Sequence, residues 1–161
     1  PRRCGPQGEG AIFLMDAREL YQEIILDHGR RPRNFRPMPD ASHSAEGKNP
    51  LCGDHVIVRL RYKDGVVEDI AFEGSGCAIS TAAASTMSEV VKGKTRAEVE
   101  ALFQEFHDLV MGKGEHDPEE LGKLAAFAGV SEFPMRVKCA TLAWHTLQSA
   151  LNGSAAPVST E

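Results

Sequence analysis

The stretch that decides the fold is HVIVRLRYKDGVVEDIAFE, residues 55–73. In its first half Val56, Val58, Leu60 and Tyr62 share one face, and Ile57 and charged residues lie on the other. Asp64-Gly65 is a strong signal for a two-residue hairpin turn, and VVEDIAFE supplies the returning strand. The alternation predicts an antiparallel hairpin with one face turned toward a core.

Helical patterns lie on both sides of this hairpin. Upstream, apolar residues recur at helical spacing after Asp16, which resembles a cap, and Gly29 marks the end. A further strand is predicted over 42–48, and helices are predicted at about 79–91, from 95 onward, from 117 to 129, and from 133 or 134 to 151. Strands followed by helices indicate an α+β fold, here a small three-stranded antiparallel sheet with helices packed on one face.

The length of 161 residues fits one domain, which we place at residues 15–151. Residues 1–14 have no periodicity, and we expect them to be disordered or to come from upstream or expression sequence. Cys4 lies in that stretch and is given no role. Residues 152–161 are expected to form a flexible tail.

Composition excludes several classes of protein. A net charge of −5 argues against a general nucleic-acid binder, and no apolar run approaches the ~18 residues that span a bilayer. Four cysteines are too few for a disulfide scaffold, and no secretory signal pattern stands out. We therefore expect a cytoplasmic protein with reduced thiols and with neither nucleic acid nor membrane as a partner.

Three cysteines, Cys52, Cys77 and Cys139, fall at the ends of predicted elements rather than on apolar faces within them. Thiols near helix N-termini favour the thiolate, which is the form that binds metal and attacks sulfur. Asp54 is the best fourth ligand, and three thiolates with one carboxylate can form a closed zinc site. Because the chain has no C-x-x-C pair, spacing alone also leaves open that the three thiols are inert.

The motifs NPLCGD, GSGCAIS and KCATLAW, in this order and together with LYQEIILDHGRRPRNF, resemble the NifU/IscU-type iron–sulfur assembly proteins, and most closely their SufU branch. The resemblance covers about residues 20–151. It implies a SufE/NifU-like fold. It also implies metal ligands at Cys52, Asp54, Cys77 and Cys139.

One departure from the family bears on function. IscU-type scaffolds have a histidine directly before the third cysteine, and this chain has Lys138. The SufU branch is associated with zinc and with a cysteine desulfurase. The resemblance therefore implies a zinc-bound sulfurtransferase that accepts persulfide sulfur on Cys52 from a SufS-type desulfurase and relays it to a downstream iron–sulfur scaffold.

Alternatives remain on the same residues. The first is a scaffold that assembles a transient [2Fe–2S] cluster on these cysteines, and the second is a structural zinc module. A cysteine hydrolase is a poor fit, because no histidine lies in a motif typical of a general base.

Several charged residues have two interpretations each. Arg136 and Lys138 flank Cys139 and either hold thiolates or persulfide by charge or are solvated. The run from Arg30 to Arg36 either contacts an acidic patch on the desulfurase or forms a solvated loop. His55 follows the predicted aspartate ligand and is the best candidate for a hydrogen-bond partner of the metal site.

Overall fold

The computed structural model describes residues 17–153 and 157–159. Its elements in chain order are α1 (Ala17–Arg30), β1 (His43–Asn49), β2 (Asp54–Lys63), β3 (Val66–Ser75), α2 (Ala78–Val91), α3 (Arg96–Val110), α4 (Pro118–Leu121), a 3-10 segment (Gly122–Glu132), α5 (Pro134–Asn152) and β4 (Val158–Ser159). The expectations for residues 1–14 and for the cap at Asp16 lie outside the described residues. Within the described ranges, no helix combines the length and the hydropathy needed to cross a bilayer.

The central hairpin forms as the sequence predicts. β2 and β3 pair antiparallel, and Asp64 and Gly65 between them have φ angles of 55° and 78°. Both values are left-handed, as a type I′ hairpin turn requires. On β2, Val56, Val58 and Leu60 are buried, while the residues between them are half-buried. One face of the hairpin therefore contributes directly to the core.

Among the described residues the sheet has four strands in the order β3-β2-β1-β4, so the prediction of three strands was one short. β1 pairs antiparallel with β2, whereas β4 pairs in parallel with Gly47 and Lys48 of β1. β4 is only two residues long and lies within 152–161. An element this short shows no detectable alternation, which is why the sequence pattern could not predict it.

Helices cover one face of the sheet, which confirms the predicted α+β class. α5 packs on β1 and β2 and against α2. The approach is closest at Gly47, where an added Cβ would lie 2.0 Å from the Oγ1 atom of Thr146. The other face carries charged side chains such as the ion pair between Arg59 and Glu73.

An aromatic cluster joins α3, the 3-10 segment and α5. Trp144 is fully buried and stacks on Phe106 with ring centroids 5.3 Å apart. Phe127 meets Phe106 edge-on at 5.4 Å. The cluster lies in the main hydrophobic core, so Trp144 has a packing role.

Between α3 and α5 the sequence predicts one helix that ends at Gly129, and the structure differs from this prediction. Asp117 caps α4 as expected, since its side chain accepts a hydrogen bond from the Glu119 N–H at 2.9 Å. However, α4 ends after one turn, and residues Gly122–Glu132 continue in 3-10 geometry. The residues 124–127 are all buried, so this segment contacts the core on several sides rather than along one helical stripe.

Two residues of the run from Arg30 to Arg36 make ion pairs with the rest of the domain. Arg33 pairs with Asp27 at 2.7 Å, and its backbone N–H donates to Ser85 Oγ at 2.8 Å. Arg36 pairs with Asp69 at 2.8 Å. Part of the run therefore has a structural role, and its contact with a partner stays a prediction.

Candidate metal centre

A tight turn between β1 and β2 places the first cysteine. The Cys52 N–H donates to the carbonyl oxygen of Asn49 at 3.2 Å, with Pro50 at the second position of the turn. Gly53 follows with a left-handed φ of 71°, a conformation that glycine adopts without strain. β2 then begins directly at Asp54. The half-buried thiol of Cys52 thus lies on a short loop at the end of the sheet.

Asp54 is buried, with one carboxylate oxygen fixed and the other open. Its Oδ1 accepts a hydrogen bond from the Cys77 N–H at 2.9 Å, which ties β2 to the start of α2. A Cβ on Gly76 would lie 2.5 Å from that Oδ1, so only glycine leaves room for this arrangement. Oδ2 has no hydrogen-bond partner among the described residues. A buried carboxylate oxygen without a donor is what a metal ligand shows before its ion is added.

Cys139 completes the group from the second turn of α5 and is fully buried. The ligand atoms of Cys52, Asp54 and Cys139 all lie within 4.8 Å of one another. Strand, turn and helix therefore bring together three of the four predicted ligands.

Cys77 lies outside that group of three but adjoins it. It is the N-cap residue of α2, and its Sγ accepts the Ser80 N–H at 3.4 Å. Its side chain also interacts with that of Cys139. The sulfur of Cys77 thus has a role as helix cap besides its place beside the other thiols.

Deprotonating the buried thiol of Cys139 is unfavourable in this cluster. Burial raises the pKa of the Cys139 thiol far above its ordinary range, and the neighbouring side chains of Asp54, Cys52 and Cys77 raise that pKa further. This differs from the thiolate that the sequence led us to expect, because Cys139 lies one turn inside its helix and away from solvent. A bound cation would supply the positive charge that buried thiolates need.

The positive side chain of Arg136 faces the cluster. The charge of Cys77 and a hydrogen bond to that residue raise the pKa of the Arg136 guanidinium, with smaller contributions from Cys139 and Cys52. Arg136 is itself exposed. Of the two predicted interpretations of Arg136, the contact with thiols is therefore the better one.

The residues present fit a zinc ion. Three soft sulfur ligands and one carboxylate form a donor set that zinc accepts in tetrahedral geometry. The open Oδ2 of Asp54 would supply the oxygen donor.

His55 and Asn49 lie on the two strands that flank the Cys52 loop. His55 pairs with Glu46 at 2.6 Å and alternates with the buried positions of β2, so its partner is a carboxylate rather than the cysteine cluster.

Asn49 was missed by the sequence analysis, although it is fully buried and its Nδ2 donates to the Cys139 sulfur at 4.0 Å. Its place opposite Asp54 in the β1–β2 register would have identified it, but the register is not visible in the motif alone.

A groove opens beside the cluster. Its volume is about 1080 Å³, and it runs between α1, the start of α2 and the end of the 3-10 segment. Cys77 and Arg136 line it together with apolar residues such as Ile25, Ile79 and Phe133. The groove therefore reaches the cysteine cluster on the side of Cys77.

Comparison with known proteins agrees with the resemblance found in the motifs. The family model for the NifU-like N terminal domain matches residues 20–151. The zinc-dependent sulfurtransferase SufU of Bacillus subtilis is 41% identical over 129 residues, covering 80% of this chain and 87% of the relative. The iron–sulfur cluster assembly scaffold protein IscU of Streptococcus pyogenes is 39% identical over 144 residues, covering 89% of this chain and 90% of the relative.

A solved structure gives the same result for the fold. The protein from Fervidobacterium islandicum AW-1, described as an iron–sulfur cluster assembly scaffold for the SUF system, superposes with a TM-score of 0.76 at 36% identity. The match covers 84% of this chain and 99% of that one.

Proposed function

The chain belongs to the NifU-like N-terminal domain family, and on that premise we propose that it serves iron–sulfur cluster biogenesis as a zinc-bound sulfurtransferase. It accepts persulfide sulfur from a cysteine desulfurase on Cys52 and passes it on to cluster assembly. The observation that carries the proposal is the buried carboxylate of Asp54, which the Cys77 N–H fixes at one oxygen and which lies open at the other beside Cys52 and Cys139.

The proposed zinc ligands are Cys52, Asp54, Cys77 and Cys139. A zinc ion bound by these residues would keep their thiols deprotonated at neutral pH. The name of the Bacillus relative, a zinc-dependent sulfurtransferase, supports this choice of metal.

Cys52 is the thiol best placed to accept sulfur. Cys139 is buried inside α5, and the sulfur of Cys77 caps α2, so moving either one disturbs a helix. Cys52 lies half-buried on a turn beside Gly53, where an added Cβ would meet nothing within 4 Å. Moving Cys52 therefore costs the least structure.

The transfer is a thiol–disulfide type of exchange. The Cys52 thiolate attacks the outer sulfur of the desulfurase cysteine persulfide, and a new sulfur–sulfur bond forms on Cys52. The bond inside the donor persulfide breaks, and its electron pair leaves with the donor cysteine as a thiolate. No net oxidation occurs, because one sulfur–sulfur bond replaces another.

The groove gives the desulfurase segment a route to the cluster. Its apolar walls suit an extended peptide, and Arg136 stands beside Cys77 at its end. A guanidinium in this place stabilises the negative charge of a persulfide or of the departing thiolate.

A second function is an iron–sulfur scaffold, with the cluster as cargo on the same cysteines. The names of the Streptococcus and Fervidobacterium relatives favour it. Lys138 in place of the scaffold histidine weighs against it, because that position then offers no imidazole ligand.

The deciding experiment measures turnover of the cysteine desulfurase with zinc-loaded protein added. Wild type is expected to stimulate turnover strongly, and Cys52→Ala is expected to lose the stimulation while it keeps its fold. Cys4→Ala is the matched control, since it removes a thiol to which no role is assigned. If wild type does not stimulate, the sulfurtransferase proposal fails. The scaffold function then predicts a brown cluster that persists after anaerobic reconstitution.

A further inference from the structure

Asn49 is the last residue of β1, and its side chain is completely buried next to the cysteine cluster. It lies directly opposite Asp54 in the antiparallel register. Residues opposite each other on paired strands project to the same face, so both side chains point toward the helices. On that face the Asn49 Nδ2 donates to the sulfur of Cys139 at 4.0 Å.

This contact is not the ordinary role of asparagine in a turn. Asn49 occupies the first position of the Asn49–Cys52 turn, where an asparagine side chain usually bonds to nearby backbone. Among the described residues, its side chain instead makes its hydrogen bond to a residue 90 positions away.

The arrangement also costs stability. The Oδ1 of Asn49 is buried and has no hydrogen-bond partner in the described part of the chain. A leucine of similar size would fill the same space without burying an unpaired oxygen. The amide therefore contributes something at this position that a hydrocarbon cannot.

What an amide contributes is an uncharged donor to sulfur. An N–H directed at a cysteine sulfur fixes the direction of its lone pairs and draws electron density from it, which makes the sulfur a weaker nucleophile. Charged donors do the same, but an additional charge would change the net charge of the cluster.

We propose that Asn49 is a positioning residue whose amide N–H holds the Cys139 sulfur in place as a fixed metal ligand, so that Cys52 alone is left free to exchange and to carry sulfur. The second half of this statement rests on the proposed function. The first half concerns metal binding only and is tested without a desulfurase.

The Cys139 sulfur has a second contact only while it is protonated. Its thiol donates to the carbonyl oxygen of Met135 at 3.6 Å, one turn earlier in α5. A zinc-bound thiolate has no proton to donate, so this contact would be lost on metal binding, whereas the contact with Asn49, which is itself the donor, would remain.

The test compares Asn49→Leu, which removes the donor and keeps the volume, with Thr146→Val as a matched control. Thr146 is also fully buried, lies further along α5, and its hydroxyl donates to the Leu142 carbonyl at 2.7 Å. Both variants replace a buried polar group by an apolar one. Only Asn49→Leu removes a contact with a metal ligand.

Two readouts are used on the folded proteins. Zinc affinity, measured by competition with a chromophoric chelator, is expected to fall about 10- to 100-fold in Asn49→Leu and to stay unchanged in Thr146→Val. The sulfur-to-cobalt charge-transfer band of the cobalt-loaded protein is expected to shift only in Asn49→Leu. Equal affinities and identical cobalt spectra for the two variants would overturn the proposal.

A second measurement avoids the risk that Asn49→Leu does not fold. In ¹⁵N-labelled wild type, one of the two side-chain amide protons of Asn49 should move downfield and exchange more slowly when zinc is added. Amide protons that do not respond to zinc would also refute the proposal.

The selectivity is then tested with the desulfurase and cysteine as the sulfur source, by mapping persulfides with mass spectrometry. Wild type should carry sulfur on Cys52, and Asn49→Leu should carry it on Cys139 as well. Wild type without any persulfide would refute the proposed function but not the metal-binding role of Asn49. If the persulfide is found on Cys52 alone in both wild type and Asn49→Leu, the proposed role of Asn49 in selectivity is wrong.

Discussion

At the scale of single residues, the site depends on small groups placed around one carboxylate. Asp54 is buried, and its Oδ1 is fixed by the N–H at the start of α2. That hydrogen bond exists because Gly76 has no side chain. A residue that binds nothing itself thus decides whether the oxygen ligand points into the cluster.

Gly76→Ala is accordingly expected to weaken zinc binding although all four proposed ligands remain. The new Cβ would lie 2.5 Å from Asp54 Oδ1, so the carboxylate has to move. We expect a loss of about 10- to 100-fold in zinc affinity, as for other changes to groups that orient ligands. Chelator competition measures it.

Gly129→Ala is the matched control for this substitution. An added Cβ there would meet nothing within 4 Å, and zinc affinity should not change. If Gly76→Ala binds zinc as tightly as Gly129→Ala, the orienting role of Gly76 is wrong.

At the scale of elements, the sequence predicts what depends on local patterns. The helix predicted from residue 95 onward forms as α3, which begins with a capping box between Thr95 and Glu98, and the Asp64-Gly65 turn closes the hairpin as predicted. The three-cysteine motif likewise identifies the thiols. What the sequence missed, the pairing of β4 and the contact of Asn49 with Cys139, depends on which strands lie side by side, and no local pattern records that.

The packing of α5 on β1 gives a prediction at this scale. Because an added Cβ at Gly47 would lie 2.0 Å from Thr146 Oγ1, Gly47→Ala forces helix and strand apart. We expect the free energy of unfolding to fall by about 1–3 kcal/mol, as for other overpacked cores. Urea denaturation measures it.

Thr146→Ala tests the stated cause. It removes the clashing oxygen and leaves two atoms near the new Cβ, Leu142 Cδ1 at 3.1 Å and the Cβ of residue 146 at 3.3 Å. In the double variant the loss should therefore be smaller than the sum of the two single losses. Strict additivity would mean that the clash with Thr146 is not the reason.

At the scale of the whole molecule, one buried histidine joins three elements that are distant in sequence. His28 in α1 is 1% exposed, and its Nδ1 lies 2.7 Å from Ser85 Oγ in α2. Its Nε2 is 3.6 Å from Glu89, which in turn pairs with Lys123 of the 3-10 segment at 3.0 Å. The junction between α1, the second half of α2 and the 3-10 segment thus contains a titratable group.

This junction makes stability depend on pH. Burial lowers the pKa of His28, and Arg33 and Lys123 lower it further, while Glu89 and Asp27 oppose the change. Because the folded pKa lies below the ordinary value of about 6.5, the unfolded chain binds the proton more tightly. The contribution of His28 is therefore fully present above pH 6.5 and is lost as the pH falls toward the folded pKa, by up to about 1.4 kcal/mol per pH unit.

The free energy of unfolding is measured between pH 7.5 and about pH 5. His28→Gln should remove the part of its pH dependence that comes from His28. Zinc release by acid changes the stability of both proteins, so the informative quantity is the difference between wild type and variant at each pH. His145 also has a pKa lowered by burial and by His107, so some slope should survive in the variant. A difference that stays constant with pH would mean that His28 does not titrate at this junction. His28→Gln would then lower stability equally at every pH, through the lost contact with Ser85 alone.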